Sequence, residues 1–236
     1  MAKEPKAAWA GMISRLDRDV GRIVALVREL GLEKRTLIMF TSDNGAHAGY
    51  GTNLEFFKGN GDLRGTKGTM YEGGLRVPLI AFWPGRIKPG SETDHLTHFA
   101  DMMPTFAELA GVATPAGTDG ISIVPTLLGR GSQAKHEFLY WDFRSQTAVR
   151  VQNWKAIQPK KDGIWELYDL ANDVSETINI ADQHPDILAR MKKFAEESHE
   201  PVRAGTYRDR TRHERDRNAK WGSTPPPTNA SRGRVK

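Results

Sequence analysis

The sequence predicts an α/β fold in which a mostly parallel sheet is followed by a small antiparallel sheet and a helix. Three observations support this fold class. An amphipathic segment precedes the first of two short apolar runs, a long glycine-rich segment separates those runs, and several strand-like runs follow towards the end of the chain. Helices that alternate with buried strands are typical of open α/β sheets, whereas consecutive short strands separated by turn residues favour an antiparallel sheet.

The first predicted element is a helix over residues 7–30. Its apolar residues recur at steps of three and four from Trp9 to Leu30, and they therefore form one continuous face. Gly31 follows directly, and glycine is the residue that most often ends a helix. The segment thus has the pattern of a surface helix that covers an apolar layer.

Two apolar runs, residues 36–41 and 79–83, predict strands. Neither run alternates with polar residues, and such continuous runs are expected where a strand is buried on both faces of a parallel sheet. The glycine-rich connection over residues 42–78 shows little periodicity. Because a connection of this length inside a compact domain is usually functional, we expect the site to lie there.

The second half of the chain predicts a further helix, a small sheet and a last helix. The helix spans about residues 101–109, and Gly111 ends it. Beyond about residue 136, strand-forming runs separated by turn residues predict a small antiparallel sheet. These runs are residues 138–141, 148–151, 154–157 and 165–168. A last helix begins near Pro185, where apolar residues again recur on one face.

Composition divides the chain into an α/β part over residues 1–131, a small α+β subdomain over 132–200 and a basic, proline-containing tail over 201–236. The tail holds ten Lys/Arg and three Asp/Glu, a charge of +7, so the preceding 200 residues carry −2. We expect this tail to be disordered, because it cannot bury enough apolar surface to offset the entropy of ordering.

Charge, cysteine content and hydropathy exclude several classes of partner and site. The positive charge belongs to the tail, so no nucleic-acid partner is expected. No apolar run approaches the roughly 20 residues that span a bilayer, so no membrane partner is expected either. The chain has no cysteine, which excludes disulfides, thiolate–metal sites and cysteine nucleophiles.

A short polar sequence, Ser42-Asp43-Asn44-Gly45, follows the first predicted strand. In open α/β sheets, ligands bind beyond the carboxyl ends of the strands. The Asp43 carboxylate and the Asn44 amide oxygen there could bind a hard cation such as Ca²⁺. A tight turn is the competing explanation, and the tetrapeptide alone favours it, because Asn-Gly is a common turn pair.

A second candidate motif, residues 63–78, places Lys67 between glycines. Flanking glycines allow the backbone to approach a ligand closely, and an ammonium beside an anion can neutralise charge that builds on a leaving oxygen. The motif is not a phosphate-binding P-loop, because no matching glycine precedes it and Gly68 rather than Ser or Thr follows the lysine.

The same segment contains two arginines that could clamp an anion, Arg64 and Arg76. Taken singly, each is better explained as a solvated loop charge, or as a partner of Glu72. Arg64 is retained as a candidate substrate-binding residue beside Lys67.

Three histidines are candidate functional residues. His47 lies three residues after Asn44 and could donate to a substrate or act as an acid, although an exposed loop histidine is an equally good explanation. His95 and His98 have the pattern of surface or capping residues. They do not resemble a zinc site, because no suitably spaced third ligand is evident.

Taken together, these motifs resemble the type I sulfatases, the arylsulfatase group of the alkaline-phosphatase superfamily. The resemblance covers about residues 7–195, and its most specific part is the glycine-bracketed lysine motif. The segments that carry it are Thr41-Ser-Asp-Asn-Gly45, Leu63-Arg-Gly-Thr-Lys-Gly-Thr-Met-Tyr-Glu-Gly-Gly-Leu-Arg-Val-Pro78, Phe82-Trp-Pro-Gly85, Asp101-Met-Met-Pro-Thr105 and Leu167-Tyr-Asp-Leu170.

The resemblance implies part of an alkaline-phosphatase-like sandwich that hydrolyses sulfate esters of aryl alcohols or sugars to an alcohol and sulfate. Asp43 and Asn44 match Ca²⁺ ligands of the family, which reverses the preference for a simple turn. Lys67 matches the lysine that contacts the sulfate ester. His47 matches a position that is often histidine in some bacterial members, and we expect it to bind substrate and take part in catalysis with Lys67.

Other family features are absent from the sequence. The nucleophile, a formylglycine made from Cys or Ser in a C/S-x-P-x-R motif, has no counterpart, since the nearest match, Ser223-Thr-Pro-Pro-Pro227, lacks the arginine. The paired aspartates that complete the calcium site are absent too. We therefore expect a C-terminal fragment that is inactive and prone to aggregate without the missing N-terminal half. The family is commonly exported, which implies a periplasmic or secreted location.

Two other functions remain open at this point. One is another hydrolase of the same superfamily, a phosphatase or phosphonate hydrolase, although such enzymes generally use two transition metals and more His/Asp ligands. The other is a non-catalytic module that binds sulfated glycans through Lys67. A nucleic-acid binder would rest on the basic tail alone.

Overall fold

A computed structural model describes residues 4–49 and 52–201 together with Ala219. The chain divides into two units, Met1–Ser198 and His199–Lys236, and the fold described below is that of the first. The predicted disordered tail lies almost entirely outside the described residues. The predicted boundary near residue 131 stays a prediction.

The first unit is a mixed α/β structure, which confirms the predicted fold class. Its helices are α1 (Pro5–Glu29), α2 (Leu54–Phe57), α3 (Glu72–Leu75), α4 (Met102–Ala110), α5 (Val124–Leu128) and α6 (Pro185–Ser198). Its strands are β1 (Ile38–Thr41), β2 (Leu79–Phe82), β3 (Leu139–Phe143), β4 (Gln146–Val151), β5 (Trp154–Gln158) and β6 (Glu166–Asp169). None of the described helices is long and apolar enough to cross a membrane.

Helix α1 confirms the predicted first element, but its apolar face is uncovered. A proline lies in its first turn, and Gly31, with φ of 68°, follows its end in the left-handed conformation that glycine adopts without strain. No residue of α1 is buried, and Met12 is 62% exposed. An amphipathic helix gains stability from packing of its apolar face. The described residues do not bury this face, so they supply little of that stabilisation.

Strands β1 and β2 form a two-stranded antiparallel sheet in which Ile38 pairs with Phe82 and Thr41 with Leu79. The prediction of a parallel sheet is therefore wrong for these two strands. A continuous apolar run indicates burial on both faces but carries no information on strand direction. Ile80 is 60% exposed, so this apolar surface also lacks a cover among the described residues.

The predicted small antiparallel sheet is confirmed, with strand order β3-β4-β5-β6. On one face, Val149, Ala156 and Leu167 are fully buried against Met191 and Ala195 of α6. This packing forms one of two buried hydrophobic clusters among the described residues. Fully burying a large aliphatic side chain contributes about 1.5–3 kcal/mol, so the sheet and α6 stabilise one another.

The opposite face of this sheet carries the segment that precedes β2. Met70 packs there with Ile157, Tyr168 and Leu170, and Tyr71 contacts the same cluster. The glycine-rich lysine motif is therefore fixed on a rigid sheet, although sequence places it more than 60 residues before the first strand of that sheet.

Candidate functional site

A cleft of about 580 Å³ opens at the carboxyl end of β1. Its walls come from residues 42–47, from residues of the lysine motif and from two side chains of α1, Trp9 and Ile13. Four of the five predicted site residues line it, namely Asp43, Asn44, His47 and Lys67. The structure thus brings together in space residues that are up to 24 positions apart in the sequence.

Backbone hydrogen bonds join the two loops that supply these residues. The Lys67 N–H donates to the Ala46 carbonyl over 3.0 Å, and the Gly45 N–H donates to the Gly74 carbonyl over 3.0 Å. Buried backbone groups are almost always paired, and here each loop provides the partner of the other. The spacing between the segment after β1 and the lysine motif is therefore set by main-chain contacts.

Asn60 adds a side-chain connection between the same loops. Its Oδ1 accepts from the Ala46 N–H over 3.0 Å, while its Nδ2 donates to the Gly65 carbonyl over 2.7 Å. The Asn60 amide therefore joins both walls of the cleft through one accepted and one donated hydrogen bond. An aliphatic side chain could make neither.

Glycines allow the close approach of these backbones. A Cβ atom on Gly45 would lie 1.8 Å from the Gly73 carbonyl oxygen, and one on Gly73 would lie 2.4 Å from that of Gly65. Both distances are far below van der Waals contact, so any side chain would force the loops apart. Gly45 and Gly73 thus permit a close approach of backbone to backbone, while the approach of a ligand to the glycines beside Lys67 stays a prediction.

A buried ionic network anchors the lysine motif to the small sheet. Glu72 is 2% exposed, and its Oε1 accepts a hydrogen bond from Lys155 Nζ over 2.8 Å. Lys155 Nζ also lies 2.9 Å from Glu176 Oε1 as an ion pair. Glu176 Oε2 in turn accepts from the Glu72 N–H over 2.6 Å. The network thus closes on itself around one fully buried ammonium.

Two arginines also pair with Glu72 in this network. Arg150 Nη1 lies 3.4 Å from Glu72 Oε2, and Arg76 Nη1 lies 3.6 Å from the same oxygen. Burial raises the pKa of Glu176, and the neighbouring Lys155 opposes that rise. Burial likewise lowers the pKa of Arg150, against the attraction of Glu72. The proposed pairing of Glu72 with an arginine is confirmed for Arg76, which also lines the cleft.

Arg64 is not among the residues that line the cleft, and its role in substrate binding stays a prediction. Its Nη1 donates to Tyr168 Oη over 2.9 Å and to the Glu176 carbonyl over 2.8 Å. Its guanidinium also lies 3.9 Å from the centroid of the Tyr71 ring. Tyr168 and Glu176 are more than 100 residues beyond Arg64 in the sequence. Arg64 therefore holds the lysine motif against the small sheet.

The cleft has a donor set that fits a hard cation only in part. Asp43 offers a carboxylate and Asn44 an amide oxygen, and hard cations such as Ca²⁺ prefer such ligands. Among the described residues that line the cleft, Asp43 carries the only carboxylate. Since Ca²⁺ takes six to eight oxygen ligands, these two residues can form one side of a calcium shell.

Family models match most of the described chain. A model described as Sulfatase matches residues 4–112, and one described as N-sulphoglucosamine sulphohydrolase, C-terminal, matches residues 65–200. The two matches overlap on the lysine motif, which both therefore include.

Comparisons with individual curated proteins and with solved structures also find similar chains. Human arylsulfatase A is 39% identical over 159 residues, which cover 64% of this chain and 30% of that protein. The crystal structure of Ps i-CgsB in complex with k-i-k-neocarrahexaose matches with a TM-score of 0.71 at 28% identity, covering 84% of this chain and 44% of that one.

A third relative is the structure of BT4656 in complex with its substrate, D-glucosamine-2-N,6-O-disulfate. It matches with a TM-score of 0.64 at 27% identity, covering 79% of this chain and 38% of that one. The chain thus spans less than half the length of each of these three relatives.

Proposed function

The chain belongs to the sulfatase family, and we propose that its cleft forms the calcium- and sulfate-binding side of a sulfatase active site. The observation that carries this proposal is the meeting of Asp43, Asn44 and Lys67 in one cleft at the carboxyl end of β1. The reaction is the hydrolysis of a sulfate ester to an alcohol and sulfate.

Each side chain of the cleft has a role that its chemistry supports. Asp43 and Asn44 would hold Ca²⁺, which supplies positive charge to the sulfo group when bound. The exposed Lys67 ammonium donates to the ester oxygen and offsets the negative charge that develops there as the S–O bond breaks. His47, also exposed, donates to the substrate or protonates the departing alcohol.

A sulfated sugar is the substrate class we propose. The BT4656 structure holds a glucosamine with two sulfate groups, and its matching region includes most of this chain. The open cleft, with exposed Asp43, His47 and Lys67 at its walls, suits a polar, anionic sugar. An aryl sulfate would serve as a convenient test substrate. A periplasmic or secreted location fits such a substrate and is part of the proposal.

Turnover requires groups that these 236 residues do not contain. The sequence has neither a C/S-x-P-x-R motif nor an aspartate pair beside the cleft, so we propose that a complementary sulfatase segment supplies the formylglycine and the remaining calcium ligands. Exposed apolar side chains on three elements support this proposal, because large exposed apolar patches mark surfaces that a partner covers. The exposed side chains are Ile13, Leu16 and Ile23 on α1, Ile80 and Phe82 on β2, and Met103 and Phe106 on α4.

Reconstitution tests this proposal. The chain would be combined with the N-terminal segment of a relative that carries formylglycine, and the release of sulfate from an aryl sulfate would be measured. We expect turnover from the pair, none from the chain alone, and loss of turnover in Lys67→Ala but not in the exposed control Lys88→Ala. Enzyme-like turnover by the chain alone would refute the proposal. So would turnover by the reconstituted pair that Lys67→Ala leaves unchanged.

Metal dependence and substrate choice separate the two competing functions. Dependence on paired zinc or manganese with a preference for phosphate or phosphonate esters would indicate another hydrolase of the superfamily. Binding of a sulfated glycan that needs Lys67, with no turnover after reconstitution, would indicate a non-catalytic module.

A further inference from the structure

We propose that His98, Asp101 and His136 form a binding site for a divalent transition-metal ion such as Zn²⁺. None of these residues lines the cleft described above, so the inference stands independently of the proposed function. Their three ligand atoms lie within 4.8 Å of one another. Two imidazoles and one carboxylate are a donor set that favours transition metals over Ca²⁺.

The distances within the cluster are close to those of a bound ion. His136 Nε2 lies 2.8 Å and His98 Nε2 lies 3.7 Å from Asp101 Oδ1. Donor atoms that bind one Zn²⁺ tetrahedrally at about 2.1 Å lie about 3.4 Å apart. The widest pair of the cluster must therefore approach by about 1.4 Å, which rotations of the His98 and His136 rings would have to supply.

The carboxylate is held in place by groups that surround it. Asp101 is fully buried, and its Oδ2 accepts from the His98 N–H over 2.9 Å and from Thr97 Oγ1 over 2.7 Å. Its Oδ1 accepts from the Ile121 N–H over 2.9 Å. Hydrogen bonds to a ligand oxygen from outside the coordination sphere orient it and raise metal affinity. Asp101 thus has the fixed orientation that a metal ligand requires.

A third histidine gives independent support. The Nε2 atom of His95 is buried and has no hydrogen-bond partner among the described residues. An unpaired buried polar atom costs free energy and calls for an explanation. His95 also interacts electrostatically with Asp101 and His136, so it lies near the cluster. A metal ion or its bound water would satisfy this orphaned nitrogen.

The members of the cluster come together only in the folded chain. His136 lies 35 residues beyond Asp101 in the sequence, and the fold places its ring 4.8 Å from that of His98, measured between centroids. Sequence spacing therefore does not indicate the site.

The test uses Co²⁺ as a spectroscopic probe for the chain, prepared without a polyhistidine tag and stripped with a chelator. We expect one Co²⁺ per chain, with visible absorption bands of low-coordinate cobalt, and competition by Zn²⁺. His136→Gln and His98→Gln should each weaken binding by about tenfold or more. His184→Gln, a histidine outside the cluster, and Asp43→Asn, which alters the proposed calcium site, should leave cobalt affinity unchanged.

These outcomes distinguish a metal site from a cluster whose histidines only make hydrogen bonds to the Asp101 carboxylate. Absence of cobalt bands in the folded wild-type chain, or equal affinity in His98→Gln and wild type, would overturn the proposal. Because His98 is less buried than His136, His98→Gln decides the question if His136→Gln fails to fold. A zinc-dependent rise in Tm for wild type and His184→Gln, but not for His98→Gln, would support the site.

Discussion

Lys155 illustrates how a single buried charge fixes the position of the candidate site. It is the second residue of strand β5, is fully buried, and is paired with Glu72 and Glu176. Taking these charges out of water is costly, and only mutual pairing offsets the cost. Since Glu72 begins α3 within the lysine motif, the pairing holds the motif against the sheet.

Replacement of Lys155 by Met should therefore destabilise the chain strongly. The change removes the ion-pair partner of the buried Glu176 and leaves Glu72 with the two arginines alone, and breaking a buried pair in this way costs about 3–5 kcal/mol. Denaturant-induced unfolding would measure the loss. The exposed Lys161→Met serves as the control and should change the free energy of unfolding by less than about 0.5 kcal/mol. Equal stability of the two variants would show that the network contributes little.

Asp173 gives a prediction on the pH dependence of stability. Burial raises its pKa, but hydrogen bonds from the N–H groups of Ile178 and Thr177 together outweigh that effect and lower it. A carboxyl whose folded pKa is lowered stabilises the fold above its unfolded value, about 3.9, and this contribution is lost as pH falls through the folded pKa.

The Asp173→Asn variant should be less stable than wild type at pH 7 and show a flatter stability profile below about pH 4. Thermal unfolding between pH 2 and pH 7 would measure both effects. If the two profiles stayed parallel over this range, Asp173 would not be the titrating group.

At the scale of elements, the glycines of the lysine motif are necessary for the approach of two loops. A Gly73→Ala change would place a Cβ atom 2.4 Å from the Gly65 carbonyl and 2.6 Å from the Arg64 carbonyl. Overpacking of this kind costs about 1–3 kcal/mol. The same change should also widen the cleft, because Gly73 packs against Gly45 of the facing loop.

The matched control is Gly11→Ala in α1, where a Cβ atom meets nothing within 4 Å. Ala is favoured over Gly in a helix by about 1 kcal/mol, so this variant should be equally or more stable. Circular dichroism during thermal unfolding would compare the two. A Gly73→Ala chain as stable as Gly11→Ala would contradict the close approach of the loops.

Sequence reasoning located helices α1, α4 and α6, the small sheet and four residues of the cleft, because periodicity and local motifs carry that information. It did not predict the short helices α2, α3 and α5, and it failed where the partner lies far away in the chain. The direction of β2 relative to β1 depends on the path of the connection, and Arg64 contacts Tyr168 only in the folded state. Lys155 was the one available hint, since a charged residue within an apolar strand needs a buried counter-charge.

For the whole molecule, the main physical fact is the amount of apolar surface that remains exposed among the described residues. α1 has no buried residue, and Phe106 of α4 is 49% exposed. Exposed apolar surface on several elements favours association, and the two-stranded sheet has edges that could pair with further strands. The core between the small sheet and α6, in contrast, is complete within the chain.

The isolated chain should therefore self-associate, and a complementary sulfatase segment should suppress this association. Sedimentation velocity would measure the distribution of species with and without that segment. Leu16→Glu together with Ile23→Glu on α1 should reduce both self-association and binding of the segment, because charge would then replace exposed apolar side chains. A stable monomer with a sharp, reversible two-state melt would refute this expectation.

The central claim is that the calcium held by Asp43 and the Lys67 ammonium act on the same sulfate ester, and a double-mutant cycle tests it most directly. Hydrolysis of an aryl sulfate by the reconstituted pair would be measured for wild type, Asp43→Asn, Lys67→Ala and the double variant at fixed calcium concentration. Groups that act on one bound substrate are coupled, so the effects should be non-additive by about 0.5–3 kcal/mol in transition-state stabilisation. Strictly additive effects, or single variants as active as wild type, would contradict a shared site.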